Sequence, residues 1–255
     1  MNQDMPTHTP TLDNKVVLIT GAAHRIGATT ARMLHATGAR IVLHYRGSRA
    51  AAEALQEELH QQRADSVCLV QGDLHDTASL AGIVEQAALF WGRLDVLINN
   101  ASSFYPTPIG SVTEQHWDDL MGSNLKAPFF LAQAAAPLLR SHRGCIVNIV
   151  DIHADRPLKA HPVYSMAKAG LVMMTKSLAC ELGPEVRVNG IAPGAILWPE
   201  NDMDEATKTR IVERTFLKRQ GCPEDIARAA LFLIRDGLYT SGQILTVDGG
   251  RSLNS

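Results

Sequence analysis

The chain has 255 residues, 45% hydrophobic and 20% charged, which is enough apolar material for one large core and too much for a disordered or fibrous protein. A formal net charge of −2 excludes a general nucleic-acid binder, which needs a concentrated basic surface to neutralise phosphates. The four cysteines, Cys68, Cys145, Cys180 and Cys222, form no Cys-x-x-Cys pair, so neither a metal site nor a disulfide framework is expected; they read as buried thiols in a reducing compartment.

Residues 1–12 are polar without an apolar core and read as a flexible N-terminal segment. No later stretch reaches the roughly eighteen uninterrupted apolar residues of a membrane span, so a cytoplasmic protein without membrane contact is expected. From Lys15 onward, short β-branched runs alternate with longer helical patterns. This predicts, over residues 13–255, a single α/β domain with a doubly wound seven-stranded parallel sheet and helices on both faces. The predicted strands are 16–20, 40–45, 66–71, 96–99, 145–150, 187–191 and 244–247. Ligands of such sheets collect at the carboxyl ends of the strands, where Gly21, Asp73, Asn100, Asp151 and Pro193 fall. The helical stretch 113–140 contains Pro128 and Pro137 and is expected in two pieces. Residues 195–221, acidic and then basic, are expected to form a mobile lid over the substrate.

Directly after the first strand comes Thr20-Gly21-Ala22-Ala23-His24-Arg25-Ile26-Gly27, opening the first helix as a dinucleotide site requires. Gly21 serves the tight turn and Gly27 the close approach of helix and strand, while Arg25 replaces the usual middle glycine with a guanidinium for phosphate oxygens. His24 and Ile26 complete the cradle. At the end of the second strand an NAD site places a carboxylate for the ribose 2′-hydroxyl. Here the chain reads His44-Tyr45-Arg46-Gly47-Ser48-Arg49, with no acid before Glu53. Arg46, with Tyr45 and Ser48 beside it, therefore predicts NADPH/NADP+ as the cofactor, whereas Arg49 also suits a solvated turn. Asp73 and Leu74 are assigned to the adenine, and Asn100, Ala101 and Ser102 to the path beyond it. Lys168, Pro193, Gly194 and Ile196 are assigned to the nicotinamide end.

Tyr164 and Lys168 are four residues apart and share one helical face, so the ammonium is expected to hold the phenol in an acidic state. Thirteen residues before the tyrosine stands Asp151. A carboxylate opposes the alkoxide that forms when a ketone is reduced. It suits a ring whose N–H and NH2 groups donate to it while a C=N bond takes a proton at nitrogen.

In this order, Thr20-Gly21…Gly27, Asn99-Asn100-Ala101, Asn124, Tyr164…Lys168, Pro193-Gly194 and Val247-Asp248-Gly249-Gly250 resemble the short-chain dehydrogenase/reductase family over nearly all of Lys15 to Ser252. The resemblance implies a Rossmann-like fold, with Asn124 anchoring a water chain to Lys168 and Lys168 holding the nicotinamide ribose. Three segments resemble its pteridine reductase branch: the loop with Arg25, the run Asn99 through Ser102-Ser103-Phe104-Tyr105 to Pro108, and Asn148-Ile149-Val150-Asp151, with aspartate at the family's serine position. The compactness of the chain resembles the bacterial members, whose substrates are dihydromonapterin, dihydrobiopterin or dihydrofolate. By this resemblance Phe104 stacks on a pterin, Ser102 and Arg25 bond the pterin or the phosphates, and Ile196, Leu197 and Trp198 close over the ligand. Asp151 and Tyr164 meet the substrate, and the helix carrying Tyr164, apolar on more than one face and so read as buried on both, packs against its equivalent in another subunit of a homotetramer, or failing that a dimer. The rival readings are a ketone or 3-oxoacyl reductase of the same fold and a non-catalytic NADP(H) sensor.

Overall fold

A computed structural model describes residues 11–196 and 204–254. Seven strands, β1 (Val16–Ile19), β2 (Arg40–Tyr45), β3 (Val67–Gln71), β4 (Val96–Asn99), β5 (Cys145–Ile149), β6 (Arg187–Pro193) and β7 (Ile244–Val247), form one sheet in the order β3-β2-β1-β4-β5-β6-β7. Every pairing is parallel, with Val17 opposite Ile41 on one side and Val96 on the other. The central strands read Val-Val-Leu-Ile and Val-Leu-Ile-Asn and are buried throughout, as a sheet covered on both faces demands. Strand bounds match the expected ones to within a residue except at β6, which continues to Pro193 because β7 pairs with Ala192 and Pro193.

Alternation along β1 divides the core. Val17 and Ile19 point to one face, covered by α1 (Arg25–Ala36), α2 (Arg49–Gln62) and α8 (Pro223–Leu231). Val16 and Leu18 point to the other, covered by α3 (Leu80–Leu89), α5 (Ala127–Ser141) and the end of α6 (Pro162–Leu182). The expected division of 113–140 is present, but proline does not cause it. α4 (Glu114–Met121) passes through a π turn, Gly122–Lys126, into α5; Pro128 sits in the first turn of α5, where its missing N–H costs nothing, and Pro137 lies inside the helix without ending it.

Leu12, placed by the sequence in the flexible segment, is a buried core residue whose N–H bonds the Thr37 carbonyl. Of the cysteines read as buried thiols only Cys145 is buried; Cys180 on α6 is exposed. Of the expected lid, Ala195, Ile196 and residues 204–221, including α7 (Glu205–Glu213), are described. Among the described residues no helix is long and apolar enough to cross a membrane, and no cluster of three His, Cys, Asp or Glu residues is placed to hold a metal. The chain order reverses between β1 and β4, so the loops after β1, β4 and β5 open on one crevice at the carboxyl edge.

Candidate active site

The loop from β1 to α1 is built against the loop after β4. A Cβ on Gly21, whose φ is 59°, would lie 3.0 Å from the Ala101 Cα, and one on Gly27 would lie 2.7 Å from the Asn100 Nδ2 and from the Gly21 carbonyl oxygen. Both glycines are therefore required, each for the approach the sequence assigned to it. The Thr20 hydroxyl accepts from the N–H groups of Asn100 and Ala101 at 2.9 and 3.0 Å. The Asn100 amide donates to the Thr20 and Gly21 carbonyls at 2.8 and 3.0 Å, so this side chain fastens the cradle. Thr20 was missed as a site residue because a threonine closing a strand carries no chemical signal.

Arg25 occupies the left-handed region, φ 53°, at the position read as a replaced glycine, and its side chain is exposed at the N-terminus of α1 beside His24. Beneath the loop lies buried His44, a second missed residue. Its Nδ1 accepts from the Gly21 N–H at 3.3 Å and its Nε2 faces the Gly72 carbonyl at 3.2 Å, which fixes a neutral ring. Burial pushes its pKa down to about 4.

At the end of β2, Arg46 and Ser48 are exposed and Tyr45 is buried. Arg49 is engaged locally, donating to Glu53 and Gln71 with its guanidinium over the Tyr45 ring, as a basic turn would be. Asp73 caps its own loop through the His75 N–H at 3.0 Å, and Leu74 is buried. A cradle that a Cβ would fill, a helix N-terminus and exposed guanidiniums at Arg25 and Arg46 together fit a phosphorylated dinucleotide. At the far end, Gly194 donates to the Val247 carbonyl at 3.0 Å beside Pro193, and a Cβ there would meet Asp248. The Ile196 side chain packs in the core, which leaves its main chain rather than its side chain to serve a ligand. Leu197 and Trp198 lie outside the described residues.

The proton-handling group stands where β5 ends and α6 begins. The Tyr164 hydroxyl donates to Asp151 Oδ2 at 2.8 Å, and Asp151 Oδ1 accepts the His153 N–H at 2.8 Å. Burial first, then the charge of Asp151 and the bond to it, hold the phenol well above its ordinary pKa, with Ser102 opposing. This corrects the expected acidic phenol. The Lys168 ammonium donates to the Ile149 carbonyl at 2.9 Å and lies 5.6 Å from the centre of the tyrosine ring. Burial lowers its own pKa to about 8 against the pull of Asp151.

Asn124, fully buried in the π turn, turns its side chain to the loop after β4. Its amide donates to the Ser103 and Leu120 carbonyls, each at 2.9 Å, and its oxygen accepts the Ser102 hydroxyl at 2.6 Å. These bonds hold the loop that carries Phe104. Phe104 is half-exposed, its ring edge-on to Tyr164 at 4.9 Å and stacked on His161 at 4.8 Å. His161 had no sequence signal, since a histidine before a helix proline is an ordinary helix start.

A doubly wound sheet with a phosphate cradle at its switch point and a Tyr-Lys pair beside it defines a nicotinamide-dependent oxidoreductase. The chain belongs to the short-chain dehydrogenase/reductase family, whose members depend on NAD(P). Residues 21–252 match the family described as enoyl-(acyl carrier protein) reductase. Pteridine reductase 1 of Leishmania tarentolae is 36% identical over 279 residues, covering 93% of this chain and 96% of the relative. A putative ketoacyl reductase of granaticin polyketide synthesis from Streptomyces violaceoruber is 36% identical, covering 93% and 96%. The 3-oxoacyl-(acyl-carrier-protein) reductase of Staphylococcus aureus is 33% identical, covering 92% and 97%.

Proposed function

We propose that the protein is a cytoplasmic, homotetrameric NADPH-dependent reductase of a dihydropterin ring C=N bond, forming the tetrahydropterin from dihydrobiopterin, dihydromonapterin or dihydrofolate. The observation that carries this reading is the 2.8 Å bond from Tyr164 to Asp151, which sets an acceptor-only group where ketone chemistry calls for a donor. Gly21, Gly27, Arg25 and the α1 N-terminus would hold the pyrophosphate, Arg46 the 2′-phosphate, and Lys168 the nicotinamide ribose. When bound, NADPH supplies the hydride.

Tyr164 supplies the proton. Addition of hydride to the ring carbon of C=N leaves electron density on nitrogen, and the phenol protonates it, giving CH–NH and a phenolate. The raised phenol pKa makes this proton available to a strong base and withholds it from weaker ones. The free lone pairs of Asp151 accept ring N–H and NH2 groups, orienting the heterocycle against Phe104, whose stacking contributes about 0.5 to 1.5 kcal/mol beyond area burial.

A ketone reductase is the second reading, favoured by the ketoacyl and 3-oxoacyl reductases among the relatives. Initial rates with NADPH on the three dihydropterins beside a panel of 3-oxo esters and sugar ketones separate the two. Turnover of the ketones with none of the dihydropterins would sink the pterin reading.

A further inference from the structure

The strongest polar cluster not used by this chemistry centres on Asp119 of α4, a half-buried carboxylate between two loops. From the loop after β3, His75 brings its Nε2 to within 3.0 Å of Asp119 Oδ1. The imidazole packs against Gly122 at the start of the π turn, where a Cβ would come within 2.8 Å of its Nδ1. From the loop after β4, the Ser103 hydroxyl donates to the same Oδ1 at 3.3 Å. The Tyr105 phenol stands near the same carboxylate, and burial with that charge pushes its pKa up to about 12.

The cluster continues to the reacting groups. The Ser103 carbonyl accepts the Asn124 amide at 2.9 Å, the Asn124 oxygen accepts the Ser102 hydroxyl at 2.6 Å, and Ser102 opposes the rise in the Tyr164 pKa. One carboxylate thus joins the loop at the end of β3, which lies on the adenine side of the crevice, to the loop that leads to Phe104 and the proton donor. Removing a shared acceptor leaves donors on both loops unpaired, so the effect must appear at both ends.

We propose that Asp119 is a positioning residue that holds the cofactor-side loop 72–76 and the substrate-side loop 102–105 in one register, so that its loss weakens both ligands together. This rests on the site assignments made above for cofactor and substrate, but not on the substrate being a pterin.

The test is Asp119→Ala, which removes the shared acceptor, with His75→Gln and Ser103→Ala, each assayed for KM with NADPH, KM with dihydrobiopterin and kcat. Asp119→Ala is expected to raise both KM values about fivefold, the effect of about one hydrogen bond lost at each loop, with kcat within about twofold. His75→Gln is expected to raise the dihydrobiopterin KM too, and its effect should not add to that of Ser103→Ala. An unchanged KM for either ligand in Asp119→Ala overturns the proposal. If Asp119→Ala shows no cooperative melting transition, His75→Gln decides: a dihydrobiopterin KM equal to wild type overturns it. If the wild type reduces 3-oxo esters and no dihydropterin, the pterin reading fails, and the same constants taken with the 3-oxo ester still decide the role of Asp119.

Discussion

Tyr164 keeps its proton because it is buried and because the Asp151 carboxylate accepts its bond, while the Lys168 ammonium is directed onto the Ile149 carbonyl. Asp151 and Tyr164 then act as one unit, and replacing the carboxylate tests the unit without removing the proton donor. Asp151→Ser is expected to lower kcat/KM for dihydropterins by about a hundredfold, the lower end of general acid–base effects, and to leave or improve any ketone reduction. Equal losses on both substrate classes in parallel steady-state assays would show that the carboxylate does not choose the substrate. Arg46, exposed at the end of β2, is argued to be the 2′-phosphate ligand. Arg46→Ala should raise the KM for NADPH about tenfold or more, as loss of a charge-assisted contact does, and leave the KM for NADH unchanged.

At the scale of elements, the three strand ends around the cradle are joined by one neutral imidazole. His44, next to last in β2, accepts the Gly21 N–H after β1 and meets the Gly72 carbonyl after β3. Its pKa is lowered from 6.5 to about 4, chiefly by burial, so the unfolded chain binds this proton at a higher pH than the native one. The stabilisation is therefore complete above about pH 6.5 and is lost as the pH falls toward 4; about 2 kcal/mol of it is gone at pH 5. Urea unfolding at pH 7 and pH 5 checks this: His44→Asn, which keeps an acceptor but cannot be protonated, should lose less stability between them than the wild type. The π turn is the other decisive element. It interrupts one long helix so that Asn124 faces the loop carrying Ser102 and Ser103, and no residue in 113–140 announces it. Proline was the visible breaker, yet the helix is redirected at Gly122, where His75 packs.

At the scale of the whole molecule, α6 was read as buried on both sides, and in the single chain it is not. Its sheet-facing side, with Leu171 and Met174, is buried, while Met166 and Met173 are 48% and 61% exposed. Such an uncovered apolar face on a helix that carries the reacting tyrosine fits association of subunits. Light scattering on the purified protein is expected to give four times the chain mass of 27.7 kDa, and Met173→Glu a smaller species with reduced cooperativity of melting. A wild-type monomer at micromolar concentration would remove the tetramer from the proposal.

The sequence by itself determined the seven strands and the place of the crevice, because apolar runs bounded by glycine and polar residues are set by local propensity and period. It also determined the cradle glycines, since the close approach each makes admits no side chain. Spacing brought Tyr164, Lys168 and Asp151 together correctly but gave the wrong direction for the phenol, because a pKa depends on burial and on where the lysine's hydrogen bond goes. Thr20, His44 and His161 join the site only through contacts between segments far apart in the chain, as the role proposed for His75 and Asp119 also requires. Their residue types are ordinary for their positions. Only the tertiary structure, by bringing the ends of β1 to β5 to one edge, turns them into partners of the reacting groups.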